Sequence, residues 1–232
     1  MDLEIHDVAE LFGVSESTIY RWISDGKIPA YRMNQLHSHY RFSIGEIEDW
    51  LLSRKPDMIN ENDTPNETTN PRRPGSKQFN LFRAVHKGTV LHNVPGQNKA
   101  SIIQNTMKYA AKDFQFDPDV AAELILDREN LMSTALGNGI AVPHARDSFL
   151  STGHDAIIVV FPEEPLEYGA LDGKAVHTLF FLLTGEARRH LQLLAKIAHL
   201  SSKPEALEFF KAKPKKTQIL DYVKQWESQV AG

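Results

Sequence analysis

Between residues 56 and 78 the chain reads PDMINENDTPNETTNPRRPGSKQ, in which Met58 and Ile59 are the only apolar side chains. A stretch so poor in apolar groups cannot bury enough surface to offset the entropy of ordering it. It reads as a flexible tether with a random-coil span of roughly 25–30 Å. It therefore divides the 232 residues into a segment 1–55 and a segment 79–232, each of which must build its own core.

In the first segment Val8, Leu11 and Phe12 recur at helical spacing, and Gly13-Val14 then supplies a tight turn. Ser15 is a natural N-cap for a second helix running to about Ile23, with Ile19, Trp22 and Ile23 facing inward. Ser17, Thr18, Tyr20 and Arg21 are left on its outer face. Residues 27–32 and 39–42 read as the two strands of a wing, with a long connection over 33–38. Ser43 opens a third helix, 44–53, carrying Ile47, Trp50 and Leu51, and Ser43-Ile44-Gly45-Glu46 fits a capping box. Two short helices joined by a glycine-containing turn form the helix-turn-helix pattern.

The runs VAELFGVSESTIYRWISDGKIPAYR and YRFSIGEIEDWLL resemble MerR-type and excisionase-type winged helix-turn-helix modules, over essentially all of 3–52. The resemblance implies that Ser17, Thr18, Tyr20 and Arg21 meet the major groove while Lys27, Arg32 and Arg41 meet phosphates. Charge tempers that expectation. Residues 1–55 hold six Lys or Arg against nine Asp or Glu, a net of about -3. Four cations at the expected interface predict weak, salt-sensitive DNA binding for a monomer. A DNA-binding form should then be a homodimer, yet no heptad helix is present to make one. The competing reading is a protein-docking role for the same module.

From Phe79 onward helices and strands interleave. Helical patterns cover Leu81–Val85 as a short element, 97–114 with Ile102, Ile103, Met107, Tyr109 and Ala110 apolar, and 118 to about 129 with Val120, Leu124, Ile125 and Leu126. Asp117-Pro118 places a cap and an N1 proline at the start of the latter. Further helices are expected over 186–201, 204–211 and 217–226, and strands over 89–94, 140–142, 157–161 and 177–183. The fold class expected of the whole chain is α+β. A small winged helix-turn-helix domain precedes an α/β domain whose mixed sheet is flanked by helices.

The chemistry concentrates in residues 128–146, RENLMSTALGNGIAVPHAR. Glycines flanking Asn138 open backbone conformations closed to other residues. Ile140-Ala141-Val142 is a short apolar strand, and Pro143, with its fixed φ, delivers His144 at the strand's end. Imidazole is mostly neutral near pH 7, so a histidine held this way offers one nitrogen to attack while the other is oriented.

This stretch resembles the signature RExxxSTGIGNGIAIPH of EIIA domains of the fructose–mannitol and nitrogen-regulatory class in the phosphotransferase system, and the likeness extends over roughly 80–228. It implies that His144 accepts a phosphoryl group from phosphohistidine on HPr or its nitrogen-related paralogue NPr. His190 corresponds to the family's second active-site histidine, donating a hydrogen bond to the phosphate, and Arg128 to its conserved arginine. Phosphoryl transfer relies mainly on positioning and charge stabilisation, which suits a guanidinium fork. Ser133, Thr134 and Asn138 with its flanking amides are expected as further donors. No cofactor or metal is implied for this domain. Ala135 stands where the family has glycine, a change that is harmless only if φ is negative there.

Composition limits the rest. The chain has no cysteine, which excludes disulfides, thiol nucleophiles and an EIIB-like phosphocysteine, and fits a cytoplasmic setting. Its longest apolar runs, 156–161 and 178–183, are strand-sized, so no membrane association is expected. The expected function is a regulatory phosphocarrier that couples phosphorylation to DNA binding or to a regulated protein. The alternative is a sugar-uptake component passing phosphate to a separate EIIB.

Overall fold

The computed structural model describes residues 2–34, 37–53, 80–146 and 155–230. The chain divides into two compact units between residues 73 and 74. That division falls within the stretch read above as a tether, which lies outside the described residues.

In the first unit β1 (Asp2–Leu3) leads into α1 (Ile5–Phe12) and α2 (Glu16–Ser24), followed by β2 (Tyr31–Asn34), β3 (His37–Ser43) and α3 (Ile44–Ser53). Glu4 and Asp7 form a capping box at the start of α1, and Gly13 ends it at φ 66°, which turns the chain sharply into α2. Ser15 caps α2 through the Thr18 amide at 3.2 Å. The three strands form one antiparallel sheet in the order β1-β3-β2. The strands absorb most of the expected long connection: Met33, Asn34, His37 and Ser38 all belong to them, because Asn34 pairs with His37. Val8, Ile19, Trp22, Phe42 and Ile47 make the core. Phe12, Trp22 and Trp50 pack ring against ring at 5.2–6.0 Å, and the Trp50 indole donates to the Lys27 carbonyl.

The second unit runs α4 (Asn80–Lys87), β4 (Val90–Val94), α5 (Lys99–Phe114), α6 (Pro118–Leu131), β5 (Ala135–Gly137), β6 (Ile140–Ala141), β7 (Ala156–Pro162), β8 (Thr178–Leu183), α7 (Ala187–Leu200), α8 (Pro204–Lys211) and α9 (Lys216–Val230). Its sheet has the order β4-β7-β8-β6-β5. The β4–β7 and β6–β8 pairs are parallel, and β7–β8 and β5–β6 are antiparallel. β7 and β8 are buried along their whole length, which explains their continuous apolar runs. One face of the sheet, with Ala141, Ile158, Val160, Leu179, Phe181 and Leu183, packs on Ile102, Ile103 and Met107 of α5 and Ile125 of α6. On the other face α4 lies over β7 and α7 over β8, with α9 against α4. Two expected inward residues are exposed instead: Tyr109 at 44% and Val120 at 51%. Both lie at the margin of an apolar stripe whose centre, Ile103, Met107 and Ile125, is fully buried.

Candidate functional site

His144 owes its position to the β-sheet. Ile140 pairs with Thr178 and Ala141 with Leu179, and the same parallel register continues to a bridge between His144 and Leu182. The Leu182 amide donates to the Pro143 carbonyl at 3.0 Å, so the backbone on either side of the histidine is part of the ladder. The ring is fully buried, and its Nδ1 lies 2.7 Å from the Val142 carbonyl oxygen. A carbonyl can only accept, so Nδ1 carries the proton and, in the neutral ring, Nε2 carries the lone pair. His190, in the first turns of α7, stands edge-on to His144 with ring centroids 4.8 Å apart. Its Nδ1 is 3.2 Å from the Thr184 hydroxyl. The two histidines singled out from the sequence are thus brought together.

Arg128 is buried near the end of α6 and donates from a terminal nitrogen to the Met132 carbonyl at 3.1 Å. Ala135 pairs with Ala141 and the Val142 amide donates to the Thr134 carbonyl at 3.0 Å, so the segment that follows Met132 runs beside the strand that leads to His144. Arg128 is therefore anchored to the start of the segment that pairs with the strand leading to His144.

The expected loop donors are placed differently. Asn138 and Gly139 form the two-residue turn of the β5–β6 hairpin, with φ of 53° and 79°. Both values are positive, the type I′ requirement that Asn-Gly meets best. From Ile140 to His144 the strand covers about 13 Å in the opposite direction, so Asn138 sits at the far end from His144. It is held there by Asp172, which accepts from its amide at 2.7 Å, and by Lys174, which donates to its side chain at 2.9 Å. Partial burial works against it, but the Asn138 and Lys174 amides hold the Asp172 carboxyl below its ordinary range. Ser133 and Thr134 do lie toward His144, but each has one hydroxyl proton and each proton is already committed. Ser133 donates to the Tyr168 carbonyl at 2.9 Å and Thr134 to the Glu129 carboxylate. Ala135 has no positive φ, so the departure from glycine costs the hairpin nothing.

Glu129 is the residue that the sequence reading passed over. Its carboxylate is fully buried and receives Lys99 Nζ at 3.1 Å, the Tyr168 hydroxyl at 3.1 Å, the Thr134 amide at 3.2 Å and the Thr134 hydroxyl. Burial, then the Glu129 charge, pushes the Tyr168 hydroxyl well above its ordinary pKa. This network locks residues 133–134 beside the His144 strand. Its one sequence signal was the Glu that follows Arg128, while Tyr168, 39 residues away, gave none.

In the first unit Tyr20 and Arg21 are exposed on α2 beside Ser17, whereas Thr18 is only 9% exposed. Thr18 turns inward because its hydroxyl joins the Ser15 cap at 3.0 Å, which corrects the expectation that it points out. Arg32 stacks on the Tyr40 ring at 4.8 Å, and Tyr40 meets Tyr20 edge-on at 6.2 Å. Lys27 pairs with Asp25 at 3.0 Å, and Arg41 pairs with Glu4.

Comparison with known proteins accords with this arrangement. Residues 84–226 match the family described as "Phosphoenolpyruvate-dependent sugar phosphotransferase system, EIIA 2", and residues 3–55 match a helix-turn-helix domain. A nitrogen regulatory protein of Pseudomonas aeruginosa is 35% identical over 137 residues, covering 58% of this chain and 88% of that protein. A fructose-specific EIIABC component of Bacillus subtilis is 28% identical, covering 62% of this chain and 23% of that protein. The nitrogen regulatory protein IIA-Ntr of Neisseria meningitidis shares the fold, with a TM-score of 0.53 at 24% identity over 59% of this chain and 93% of that one. No helix among the described residues is long and apolar enough to cross a membrane. With the family match spanning well over half of its length, the chain belongs to the EIIA 2 family of the phosphoenolpyruvate-dependent sugar phosphotransferase system, and carries an N-terminal helix-turn-helix domain.

Proposed function

We propose that this chain is a regulatory phosphocarrier of the phosphotransferase system, with His144 as its phosphohistidine. The observation that carries the reading is the bond from His144 Nδ1 to the Val142 carbonyl, which leaves Nε2 as the attacking nitrogen. The donor is the phosphohistidine of HPr or NPr. As the His144 Nε2–P bond forms, the donor's N–P bond breaks and its electron pair returns to the donor ring. The phosphorylated His144 ring, still protonated at Nδ1, gains positive charge, and the Val142 carbonyl dipole stabilises it. His190 donates a hydrogen bond to the phosphoryl oxygens, and Arg128 supplies a fixed positive charge from the start of the segment beside the His144 strand.

Regulation is favoured over sugar uptake by the helix-turn-helix unit in the same chain and by the likeness to nitrogen regulatory proteins. The output is DNA binding by a homodimer through Ser17, Tyr20, Arg21, Lys27, Arg32 and Arg41, or a regulated protein. Sugar uptake remains the second reading, supported by the fructose-specific relative and by a solved complex of the Escherichia coli mannitol IIA with phosphorylated IIB, which shares the fold at a TM-score of 0.50. The donors named act in the cytoplasm, which is where the reading places the chain. Phosphoenolpyruvate, enzyme I and HPr or NPr should put acid-labile label on the full chain and none on His144→Ala. Onward transfer to an EIIB would select sugar uptake, and phosphorylation-dependent promoter binding would select regulation. An unlabelled wild type beside an EIIA that does label would overturn the proposal.

A further inference from the structure

The end of β8 touches both histidines. Its Leu182 amide fixes the backbone before His144, and Thr184, two residues on, reaches His190 Nδ1 with its hydroxyl at 3.2 Å. Residues two apart on an extended strand share a face, so a single strand end sets where each ring stands. The first turn of α7 is clasped from a second side, because Arg189 pairs with Asp155 at 2.8 Å immediately before β7, whose Ala156 pairs with Leu183. The position of His190 is thus fixed by helix and sheet together, and the Thr184 hydroxyl meets its ring at Nδ1.

We propose that Thr184 is a positioning residue for phosphoryl transfer, donating its hydroxyl proton to His190 Nδ1 and so holding His190 as the Nε2–H tautomer. The chemistry follows from the two rings. His144, protonated at Nδ1, presents the lone pair of Nε2 and later a phosphoryl group whose oxygens accept. A useful neighbour must offer N–H. A neutral imidazole has a single N–H, and a donor at Nδ1 forces it onto Nε2. The carbonyl at His144 and the hydroxyl at His190 therefore select opposite tautomers, one ring to attack and one to donate. This inference rests on the phosphocarrier reading for its purpose and not for its geometry.

The test uses the full chain labelled with ¹⁵N-histidine, as wild type, Thr184→Ser and Thr184→Val. Ring-nitrogen shifts report which nitrogen of His190 is protonated, and phosphorylation time courses report the consequence. Wild type and Thr184→Ser should show Nδ1 bare and Nε2 protonated. Thr184→Val should lose that preference and label up to ~100-fold more slowly, while Thr184→Ser labels at nearly the wild-type rate. A merely structural role would slow labelling and leave the tautomer unchanged. A wild-type His190 protonated at Nδ1 alone, or a Thr184→Val chain with unaltered shifts and rate, overturns the inference. If wild type takes no label, the phosphocarrier reading fails while the shifts still decide the tautomer. If Thr184→Val does not fold, the wild-type and Thr184→Ser shifts decide it alone.

Discussion

Replacing Glu129 by alanine removes the acceptor on which the segment beside the His144 strand is hung. The carboxylate takes an ion pair from Lys99 and three hydrogen bonds, two from Thr134 and one from Tyr168. Deleting one partner of a buried ion pair costs about 3–5 kcal/mol. Lys99 keeps 27% of its side chain exposed and can turn to water, which puts this part at the low end. The Tyr168 and Thr134 hydroxyls have no such escape, and each loses its acceptor at about 1–3 kcal/mol. Because the terms overlap in one network, the expected total is about 5 kcal/mol, or roughly 10–20 °C in Tm for a domain of this size. Glu129→Gln should cost about half as much, since its amide keeps one acceptor but turns N–H groups toward Lys99 and the Thr134 amide. Thermal unfolding of the full chain by circular dichroism reads both, and phosphorylation rates should fall with them. A Glu129→Ala chain melting within about 2 °C of wild type, a change under ~1 kcal/mol, would refute the reasoning.

Four further outcomes are expected. Gly139→Ala should lose about 2–4 kcal/mol in urea unfolding, because φ is positive there and the new Cβ would lie 2.4 Å from His177 Cδ2. Adding His177→Ala should recover the steric part. Ala135→Gly, which restores the family's glycine, should destabilise by about 0.4–1 kcal/mol in the same assay, since a strand residue without positive φ gains nothing from the extra freedom. Ser15→Ala should cost about 1 kcal/mol in the helix-turn-helix unit, read as a lowered melting point, through loss of the bond from the Thr18 amide. Burial holds the His177 and His199 rings below the ordinary histidine pKa, with Lys211 and Lys203 adding to it respectively. The unfolded chain therefore binds more protons below about pH 6.5, and stability should fall from there down to the depressed folded values. Melting curves at pH 7.5 and 5.5 should differ less in His199→Gln than in wild type.

What the sequence disclosed tracks how local each signal is. Caps and periodicities are written within a few residues, so α3, α8 and the Asp117-capped α6 lie where their residues suggested. β1 was missed because two residues, Asp2 and Leu3, carry no alternation, and their pairing depends on Phe42 and Ser43 some forty positions away. At the site, the family resemblance singled out His144 and His190, which the fold brings together, but the contacts of the residues between Arg128 and His144 were not legible. A hydroxyl in a phosphate-binding signature looks like a phosphate donor until its own partner is known. For Ser133 and Thr134 those partners are Tyr168 and Glu129, one distant in sequence and the other passed over. Asn138 misled for another reason: flanking glycines are equally characteristic of an anion loop and of a type I′ hairpin, and only the strand pairing separates them.

His144 is tied down twice, by the ladder bond at Pro143 and by its own Nδ1. A residue so tethered has little slack with which to convert phosphorylation into a shift of its strand. On the proposed function, phosphorylation adds a phosphoryl group of about -1.5 to -2 charges, partly offset by the positive charge its ring gains, at a point fixed by the sheet. On that reading the message such a site sends is electrical rather than mechanical, and whatever receives it must bring its own charges to that point.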